Sequence, residues 1–527
     1  MLASRPIEQE TSMQTYRTID FLDHGMRLAP DAGFIADDSI RLSHREVQAL
    51  SHRIANALRG AGLNRGARVA FYSPNCALAF VALLGVLRCG AVWQPVHSRN
   101  PLKENIEFLV ENNCEYVFYH SKMAAEAAQI RTSVPTLKGM RCFDEAAEDG
   151  DALLDWAAPF SDFFPDDEHG PEDIAWIKSS GGTTGRPKSI MICHRNVQAL
   201  FATFHLCMPL PAGHVNLCVP PMTHGAGNIA LACLARGGSI FTMERADIPR
   251  IIENIAKHHV TTMFLPPTVI YSMLSTPGIR EADFSSLRYF LYTSAPMSPD
   301  KLREALEVFG PVMAQTWGQT EAPLICTYLG PAEHVQADAR VLKSCGRVTP
   351  LMRVEVMDDE GRILGPGEVG EMVLQGDLVM KGYFNRDEEN KKVNRFGWHH
   401  TGDVGYRDED GLYFIIDRNK DMIISGGFNI FPSEIEHVLL AHPNVLDCAV
   451  VGVPDEKWGE AVKAIVELKA GHAATEEQLK AHCRATLDGL KTPKTIEIWE
   501  TLPRSSLGKV LKKEIRERYW KDQWRRV

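Results

Sequence analysis

The sequence predicts an α/β fold with a large N-terminal domain of mostly parallel sheets flanked by helices, a β-barrel-like subdomain and a small α+β C-terminal domain. Three observations support this prediction. Buried strands alternate with helices in the first third, short strands separated by tight turns follow beyond Arg340, and about a hundred residues with strands of their own close the chain. A chain of 527 residues is also too long for one core, so at least two domains are expected.

The first third contains a strand–helix–strand unit. A capping box formed by Ser43 and Glu46 opens a helical pattern. Residues 69–72 and 91–96 are predicted to be short buried strands on either side of an apolar helix over residues 77–87. Such a unit places its two strands side by side and parallel. Further strands of the same kind are predicted at residues 239–243, 261–265 and 289–292.

The pattern changes toward the C-terminus, where turns are frequent and helices are few. Short strands at residues 354–357, 371–374 and 412–416 predict the β-rich subdomain. A second glycine run and a helix that begins with proline then mark a domain boundary. The two domains are predicted over residues 1–419 and 420–527.

The composition excludes several classes of function. A net charge of −10 argues against a nucleic-acid partner, because binding to a phosphate backbone normally depends on a basic excess. Twelve cysteines without a CxxC pair indicate reduced thiols and a cytoplasmic protein, with no zinc site and no disulfide framework. Residues 1–20 lack the apolar core of a signal peptide. The apolar stretch 77–87 is shorter than the roughly twenty residues that span a bilayer, so no integral membrane association is expected.

A run of hydroxyl side chains, glycines and cations, SSGGTTGRPK, occupies residues 179–188. Glycine lets backbone N–H groups approach an anion, the hydroxyls add donors, and Lys188 can neutralise a phosphate. Pro187 stands where a Walker A loop requires glycine, so this is a different phosphate loop or a flexible turn. The candidate phosphate-binding residues are Ser180, Gly181, Gly182, Thr183, Thr184, Gly185 and Lys188.

Three further motifs follow. In QTWGQTE, residues 315–321, the indole of Trp317 can stack on a purine or lie in the core, and Glu321 can hold Mg²⁺. Asp403 and Arg418 suit a ribose and a phosphate, although both residue types are commonly exposed without a function. Lys509 ends the third motif, PRSSLGK, and in isolation is a solvated charge.

Taken together, these segments resemble the adenylate-forming superfamily of acyl-CoA synthetases, nonribosomal peptide adenylation domains and beetle luciferases. The resemblance extends from about Thr18 to Lys513, and its six segments, including DRNKD and SGGFNIFPSEIE, occur in the order and at the approximate spacing of that superfamily. Trp317 replaces the usual tyrosine, and Gly181 stands where many members have serine. Both changes keep the chemistry, since an indole stacks on a purine and glycine still exposes its N–H.

The resemblance implies a two-step reaction that uses ATP, Mg²⁺ and coenzyme A. A carboxylate would attack the α-phosphate to form an acyl-adenylate with release of pyrophosphate, and a thiol would then displace AMP. Because both partners of the first step are anionic, catalysis consists chiefly of charge neutralisation and alignment. Lys509 would bridge the carboxylate and the α-phosphate, and Glu321 with Thr184 would hold the metal. His224 would stand at the wall between acid and thiol.

The remaining roles also come from the resemblance. Asp403 and Arg418 would bind ribose, Lys420 would be the hinge of a mobile C-terminal domain, and Gly426 with Gly427 would line the pantetheine tunnel. The residues expected around adenine are Ser294, Ala295, Pro296, Gln315, Thr316, Trp317, Gly318 and Thr320.

The acid is expected to be an apolar monocarboxylate, fatty or aryl. The predicted pocket segments, residues 224–228, 292–297 and 315–317, offer little cationic side chain, whereas a dicarboxylate would call for an arginine. The favoured function is therefore a free-standing acid:CoA ligase. The alternatives are an adenylation enzyme that loads a carrier protein in trans, a luciferase-like oxygenase and a catalytically silent nucleotide-binding protein. A homodimer stays open.

Overall fold

The computed structural model describes residues 17–165, 170–179, 188–418, 421–426, 428–455, 457–504 and 510–520. Its helices, numbered in chain order, are α1 (Thr18–Leu28), α2 (His44–Gly60), α3 (Ala77–Arg88), α4 (Leu102–Glu111), α5 (Ala124–Ser133), α6 (Leu153–Ala157), α7 (His194–Cys207), α8 (Gly225–Leu234), α9 (Ile248–Lys257), α10 (Pro267–Leu274), α11 (Pro299–Phe309), α12 (Pro331–Gln336), α13 (Asp387–Val393), α14 (Pro432–Leu440), α15 (Glu476–Arg484) and α16 (Lys512–Trp520).

The strands, also numbered in chain order, are β1 (Phe34–Ala36), β2 (Arg41–Ser43), β3 (Arg68–Tyr72), β4 (Val92–Val96), β5 (Tyr116–Tyr119), β6 (Gly139–Cys142), β7 (Ile174–Ser179), β8 (Ser189–Cys193), β9 (Val215–Cys218), β10 (Ser239–Thr242), β11 (Thr262–Phe264), β12 (Tyr289–Tyr292), β13 (Met313–Trp317), β14 (Thr327–Leu329), β15 (Arg347–Val348), β16 (Met352–Met357), β17 (Gly370–Gly376), β18 (Gly382–Tyr383), β19 (Asn394–Arg395), β20 (Trp398–Arg407), β21 (Tyr413–Arg418), β22 (Ile423–Ser425), β23 (Phe428–Ile430), β24 (Val445–Asp455), β25 (Gly459–Leu468) and β26 (Thr495–Trp499).

Two sheets carry the alternating strand and helix pattern. Sheet 1 has the order β15-β14-β13-β12-β11-β9-β10-β1-β2, and its strands from β13 through β1 are parallel neighbours. Sheet 2 has the order β18-β8-β7-β4-β3-β5-β6. Within it β3 and β4 pair in parallel on either side of α3, which confirms the predicted strand–helix–strand unit. The capping box is also present, since Ser43 N donates to Glu46 Oε2 at 2.7 Å and Glu46 N donates to Ser43 Oγ at 3.3 Å.

Helices α3 and α8 form the centre of the largest core. Every residue of α3 is buried, and so is every residue of α8 after its first glycine. The same apolar cluster joins Ile240 and Leu291 of sheet 1 to Trp93, Trp176 and Ile192 of sheet 2. Both helices are therefore enclosed by apolar groups of the two sheets, which explains why their sequences are apolar on all faces. In the part of the chain that the structure describes, no helix is long and apolar enough to cross a membrane.

The predicted β-rich segment forms sheet 3. It has the order β16-β17-β20-β19, with β21 pairing along β20, and all its ladders are antiparallel. The long strand β20 carries Asp403 directly opposite Arg418 of β21. Strand pairing thus brings together two residues that lie fifteen positions apart in the sequence.

The C-terminal segment has a sheet and a core of its own. Sheet 4 has the order β23-β22-β25-β24, with β26 parallel to β25, and α14 and α15 contribute to the apolar cluster beside it. Ser433 N at the start of α14 donates to Asp417 Oδ2 of sheet 3 at 2.9 Å. The predicted boundary between residues 419 and 420 lies outside the described residues, between β21 and β22.

Candidate active site

In the sequence the glycine run joins β7 to β8, two paired strands of sheet 2. Strands β7 and β8 are antiparallel, with Ser179 opposite Ser189 and Lys178 opposite Ile190. The candidates Ser180, Gly181, Gly182, Thr183, Thr184 and Gly185 lie outside the described residues. Lys188, where the chain re-enters the hairpin, places its Nζ 4.6 Å from the centre of the Tyr383 ring.

Tyr383 connects this hairpin to Glu321. Its hydroxyl donates to Glu321 Oε1 at 2.9 Å, and Met380 N donates to the Glu321 carbonyl at 2.7 Å. Burial, reinforced by the charge of Glu321, raises the pKa of Tyr383 far above its usual range, so the phenol stays protonated. Sequence reasoning missed Tyr383 because it belongs to no recognised motif. It reaches the site because its strand, β18, pairs with β8.

Trp317 and Asp403 form the other side of the site. Trp317 Nε1 donates to Asp403 Oδ2 at 3.0 Å, and Gln319 Nε2 donates to the same oxygen at 3.1 Å. Arg418 Nε lies 3.0 Å from Asp403 Oδ1. The carboxylate is almost wholly buried, whereas the side chain of Arg418 is 43% exposed. The structure therefore joins three residues that the sequence assigned to nucleotide binding.

A tight turn carries the chain from Trp317 to Glu321. A Cβ added at Gly318 would lie 2.8 Å from the Ala322 carbonyl oxygen, so only glycine fits there without a shift. The turn holds Thr320 and Glu321 partly exposed beside the buried end of β13. The indole of Trp317 and the carboxylate of Glu321 thus lie on one short segment, whose backbone is held in place by the close approach at Gly318.

The predicted adenine wall lies after β12. Ser294, Ala295 and Pro296 are exposed, and Ser294 has a left-handed backbone with φ of 73°, which is a strained conformation for a residue other than glycine. The strands behind this wall are tied together. Thr293 Oγ1 donates to the Thr316 carbonyl at 2.7 Å, and the Tyr292 hydroxyl donates to Gln315 Oε1 at 3.0 Å.

His224 stands at the start of α8. Its Nδ1 lies 2.8 Å from Thr223 Oγ1, and its ring meets the His97 ring edge to face at 5.2 Å. Burial, together with the nearby His97 and Lys178, lowers the pKa of His224 to about 3. The imidazole is therefore neutral at pH 7 and suits a wall or a hydrogen-bonding role better than that of a cation.

A buried lysine, Lys178, lies close to His224 and was missed by sequence reasoning. It lies in β7 immediately before the glycine run, and its Nζ donates to Asn228 Oδ1 of α8 at 3.0 Å. A charged residue inside an otherwise apolar strand, IAWIKS, was the signal that could have revealed it.

The C-terminal candidates are only partly described. Lys420, Gly427 and Lys509 lie outside the described residues. Gly426 has φ of 59°, and a Cβ there would lie 2.5 Å from Trp458 Cε3. Arg504, at the edge of the terminal motif, bridges to Val510 and places its guanidinium 2.6 Å from Asp447 and 2.9 Å from Glu467.

The fold and the site together define an adenylate-forming enzyme. The chain belongs to the AMP-binding enzyme family. A family model described as AMP-binding enzyme matches residues 22–384, and the model of the AMP-binding enzyme C-terminal domain matches residues 434–509. The superfamily predicted from the motifs is thereby confirmed.

Relatives and solved structures agree with this assignment. The chain is 34% identical over 495 residues to a feruloyl-CoA synthase of Amycolatopsis, covering 94% of this chain and 97% of that protein. It is 36% identical over 364 residues to the medium/long-chain-fatty-acid–CoA ligase FadD8 of Mycobacterium tuberculosis, covering 68% of this chain but only 63% of that one. ATP-bound MatB from Rhodopseudomonas palustris is 29% identical and superposes with a TM-score of 0.87 over 97% of this chain and 100% of that chain. The predicted fold class is confirmed, and the predicted class of enzyme, an AMP-forming acid–thiol ligase, agrees with the names of these relatives.

Proposed function

We propose that this protein is an ATP-dependent acid:CoA ligase that converts an apolar monocarboxylic acid, fatty or aryl, through an acyl-adenylate to its CoA thioester, with release of AMP and pyrophosphate. One observation carries the proposal. The segment from Trp317 to Glu321 meets Asp403 at one end and Tyr383 with Lys188 at the other. A base-stacking group, a ribose-binding acid and a phosphate-binding cation are what recognition of ATP requires.

Asp403 is well suited to hold the ribose. Oδ2 already receives N–H groups from Trp317 and Gln319, and Oδ1 lies 3.0 Å from Arg418 Nε, so the carboxylate is fixed in place without using all of its acceptor sites. The indole of Trp317, together with the wall at residues 294–296, would enclose adenine. Gln315, Thr316, Gly318 and Thr320 shape this face from β13 and the turn after it.

Glu321 fits a role as ligand of Mg²⁺. This cation is normally bound through one or two carboxylates, with substrate phosphates and water completing the shell. Glu321 Oε1 accepts one hydrogen bond from Tyr383, which orients the carboxylate beside the Lys188 side of the hairpin. Thr184 would contribute its hydroxyl. The metal would neutralise phosphate charge, and Lys188 and the glycine run would hold the pyrophosphate.

Lys509 is proposed as the residue that neutralises the carboxylate and the α-phosphate in the first step. The second step needs room for a thiol, so a C-terminal domain of residues 420–527 would turn about Lys420 relative to residues 1–419. Gly426 and Gly427 would then line the path of the pantetheine arm. His224 would separate the acid from that path.

The acceptor thiol is proposed to be free coenzyme A. A carrier protein is the second candidate, because the chain is 32% identical over 494 residues to ScoC of Streptomyces coeruleorubidus, which is named a fatty acid–[acyl-carrier-protein] ligase. We also place the enzyme in the cytoplasm, which its twelve free thiols support. A homodimer stays a prediction.

The test is pyrophosphate release across a broad panel of fatty and aryl acids, with CoA present or absent. We expect acid-dependent release that becomes CoA-dependent thioester, with AMP in equal amount. The control replaces CoA by a phosphopantetheinylated carrier protein. No release with any acid, or release that CoA never turns into thioester, refutes the ligase assignment.

A further inference from the structure

Lys178 carries a buried positive charge beside the candidate acid site. Only 5% of the residue is exposed. Its Nζ lies 5.0 Å from the centre of the Trp176 ring and 5.7 Å from that of Trp93. Asn228 Oδ1 accepts its hydrogen bond at 3.0 Å. The ammonium is thus enclosed by two indoles and one neutral amide.

The charge of Lys178 is not balanced within the part of the chain that the structure describes. No carboxylate there lies within ion-pair distance of Nζ, and the aromatic faces with one amide are its neighbours. Burial lowers the pKa of Lys178 to about 7, with no carboxylate to oppose the shift. Lysines are almost never buried without a partner, because the loss of hydration is costly. If the residue only filled space in the core, methionine or leucine would do so without the free-energy cost of removing an ammonium group from water.

Asn228, which contacts Lys178, and His97, which packs against His224, both offer N–H groups near the candidate acid site. When Lys178 is protonated it can only donate, so Asn228 presents Oδ1 to it, which leaves two N–H groups on Asn228 Nδ2. His97 Nδ1 accepts from Arg99 N at 3.1 Å, so its proton is on Nε2, which is buried and has no partner among the described residues. A site formed by donors is complementary to an acceptor oxygen.

Lys178 lies close to residues that are proposed to surround the acid. Lys178 lies near the end of β7, immediately before the glycine run, and Asn228 lies one helical turn after His224. The start of α8 also touches the segment that follows Glu321, since a Cβ at Gly225 would lie 3.6 Å from Leu324 Cδ1. His224 is partly exposed, whereas Lys178 and Asn228 are each 5% exposed, so the pair is more deeply buried than the histidine.

We propose that Lys178 and Asn228 determine specificity by binding an acceptor oxygen, a carbonyl or a carboxylate, carried on the otherwise apolar body of the acid. This inference rests on the proposed ligase function and refines its substrate class: a carbonyl would narrow the proposed monocarboxylates to oxygenated ones, and a second carboxylate would make the substrate a dicarboxylate. An acid with a purely hydrocarbon body would leave the buried ammonium unpaired and would be a poorer substrate.

The experiment uses three acids with one carbon skeleton, which carry at the far end a methyl, a ketone or a second carboxylate. We measure kcat/KM for CoA thioester formation with the full-length protein and with Lys178→Met, Asn228→Leu and the exposed control Lys257→Met. The wild type and Lys257→Met should prefer one oxygenated acid over the hydrocarbon acid at least tenfold. Lys178→Met and Asn228→Leu should lose that preference.

The ratio between two acids within one variant is independent of the folded fraction, so a destabilised variant still gives an answer. A preference for the ketone indicates hydrogen bonding alone, and a preference for the second carboxylate indicates charge pairing; both support the proposal. If the wild type uses the hydrocarbon acid equally well, or if Lys178→Met leaves the ratio unchanged, the proposal is overturned while the ligase function stands. If no acid of the broad panel gives thioester, the proposed function fails, and this inference fails with it.

Discussion

Replacing Asp403 with asparagine is expected to weaken ATP recognition about 30-fold and to lower the free energy of unfolding by about 2–3 kcal/mol. In the structure one carboxylate oxygen accepts from Trp317 and Gln319, and the other lies 3.0 Å from Arg418 Nε. Asparagine has one acceptor oxygen in place of two. It can keep the bonds to Trp317 and Gln319 only by turning its NH₂ toward the Arg418 guanidinium, where two donors face each other.

The magnitude follows from these contacts. The lost ion pair is worth about 1 kcal/mol or less, because the Arg418 side chain is 43% exposed. The two kept bonds each lose about 1 kcal/mol when the acceptor becomes neutral, so folding loses about 2–3 kcal/mol in total. Two ribose hydroxyls bound to the same group would lose a similar 2 kcal/mol or so, which corresponds to the 30-fold change in kcat/KM for ATP.

The assay compares ATP with 2′,3′-dideoxy-ATP in acid-dependent pyrophosphate release. The wild type should prefer ATP strongly, and Asp403→Asn should reduce that preference about 30-fold, because the dideoxy nucleotide has no hydroxyls to lose. Asp359→Asn, an exposed change of the same chemistry in a turn, serves as control. A variant that loses activity but keeps the wild-type ratio between the two nucleotides would show that Asp403 does not contact ribose.

Three further predictions follow from the same structure. Lys509→Ala should slow adenylation by roughly 10²–10³-fold and leave thioester formation from supplied acyl-adenylate largely intact. Gly427→Trp should slow thioester formation and leave adenylation largely intact. Equal loss of both steps in both variants would contradict a rotating domain. Tyr383→Phe should raise the Mg²⁺ concentration for half-maximal adenylation about tenfold, because Glu321 loses its orienting hydrogen bond. The control Tyr289→Phe, whose hydroxyl donates only to the Pro209 carbonyl at 3.3 Å among the described residues, should leave this concentration unchanged. If Tyr383→Phe and the wild type give the same Mg²⁺ titration, Glu321 is not a ligand of the metal. The free energy of unfolding should be highest above about pH 6.5 and fall toward pH 4. Burial lowers the pKa of several histidines in the folded state below their value in the unfolded chain. As the pH falls, the unfolded chain therefore takes up protons first and is favoured. These histidines are His44, His97, His205, His334 and His399, each with its pKa lowered to about 4, and His224, with its pKa lowered to about 3. Unfolding midpoints measured from pH 8 to 4.5 test this, and a flat profile would contradict it.

Local patterns predicted the elements well. The apolar run at residues 77–87 is α3, the strands predicted at 239–243 and 289–292 are β10 and β12, and the helix starting at Pro432 is α14. Each of these depends on hydrophobic spacing or a cap that is visible within a few residues. The family resemblance assigned Trp317 and Asp403 to one nucleotide site, and in the structure Trp317 Nε1 donates to Asp403 Oδ2 at 3.0 Å.

What sequence reasoning missed depends on the order of strands in the sheets. Tyr383 reaches Glu321 because β18 is placed beside β8, far away along the chain, and nothing near Tyr383 in the sequence indicates that pairing. Lys178 was missed for a related reason. Lys178 draws attention only through its hydrogen bond to Asn228 on α8, which packs between the sheets. Neither residue indicates this contact in the sequence alone.

The burial of α8 also has a consequence for how specificity can change during evolution or engineering. A helix enclosed between two sheets cannot shift to admit a larger or differently shaped acid without opening the main core. New preferences should therefore arise by exchanging single side chains in the first turn of this helix and on strand β7. Libraries that vary His224, Asn228 and Lys178 while leaving the rest of α8 intact should retarget the enzyme more readily than changes to surface loops.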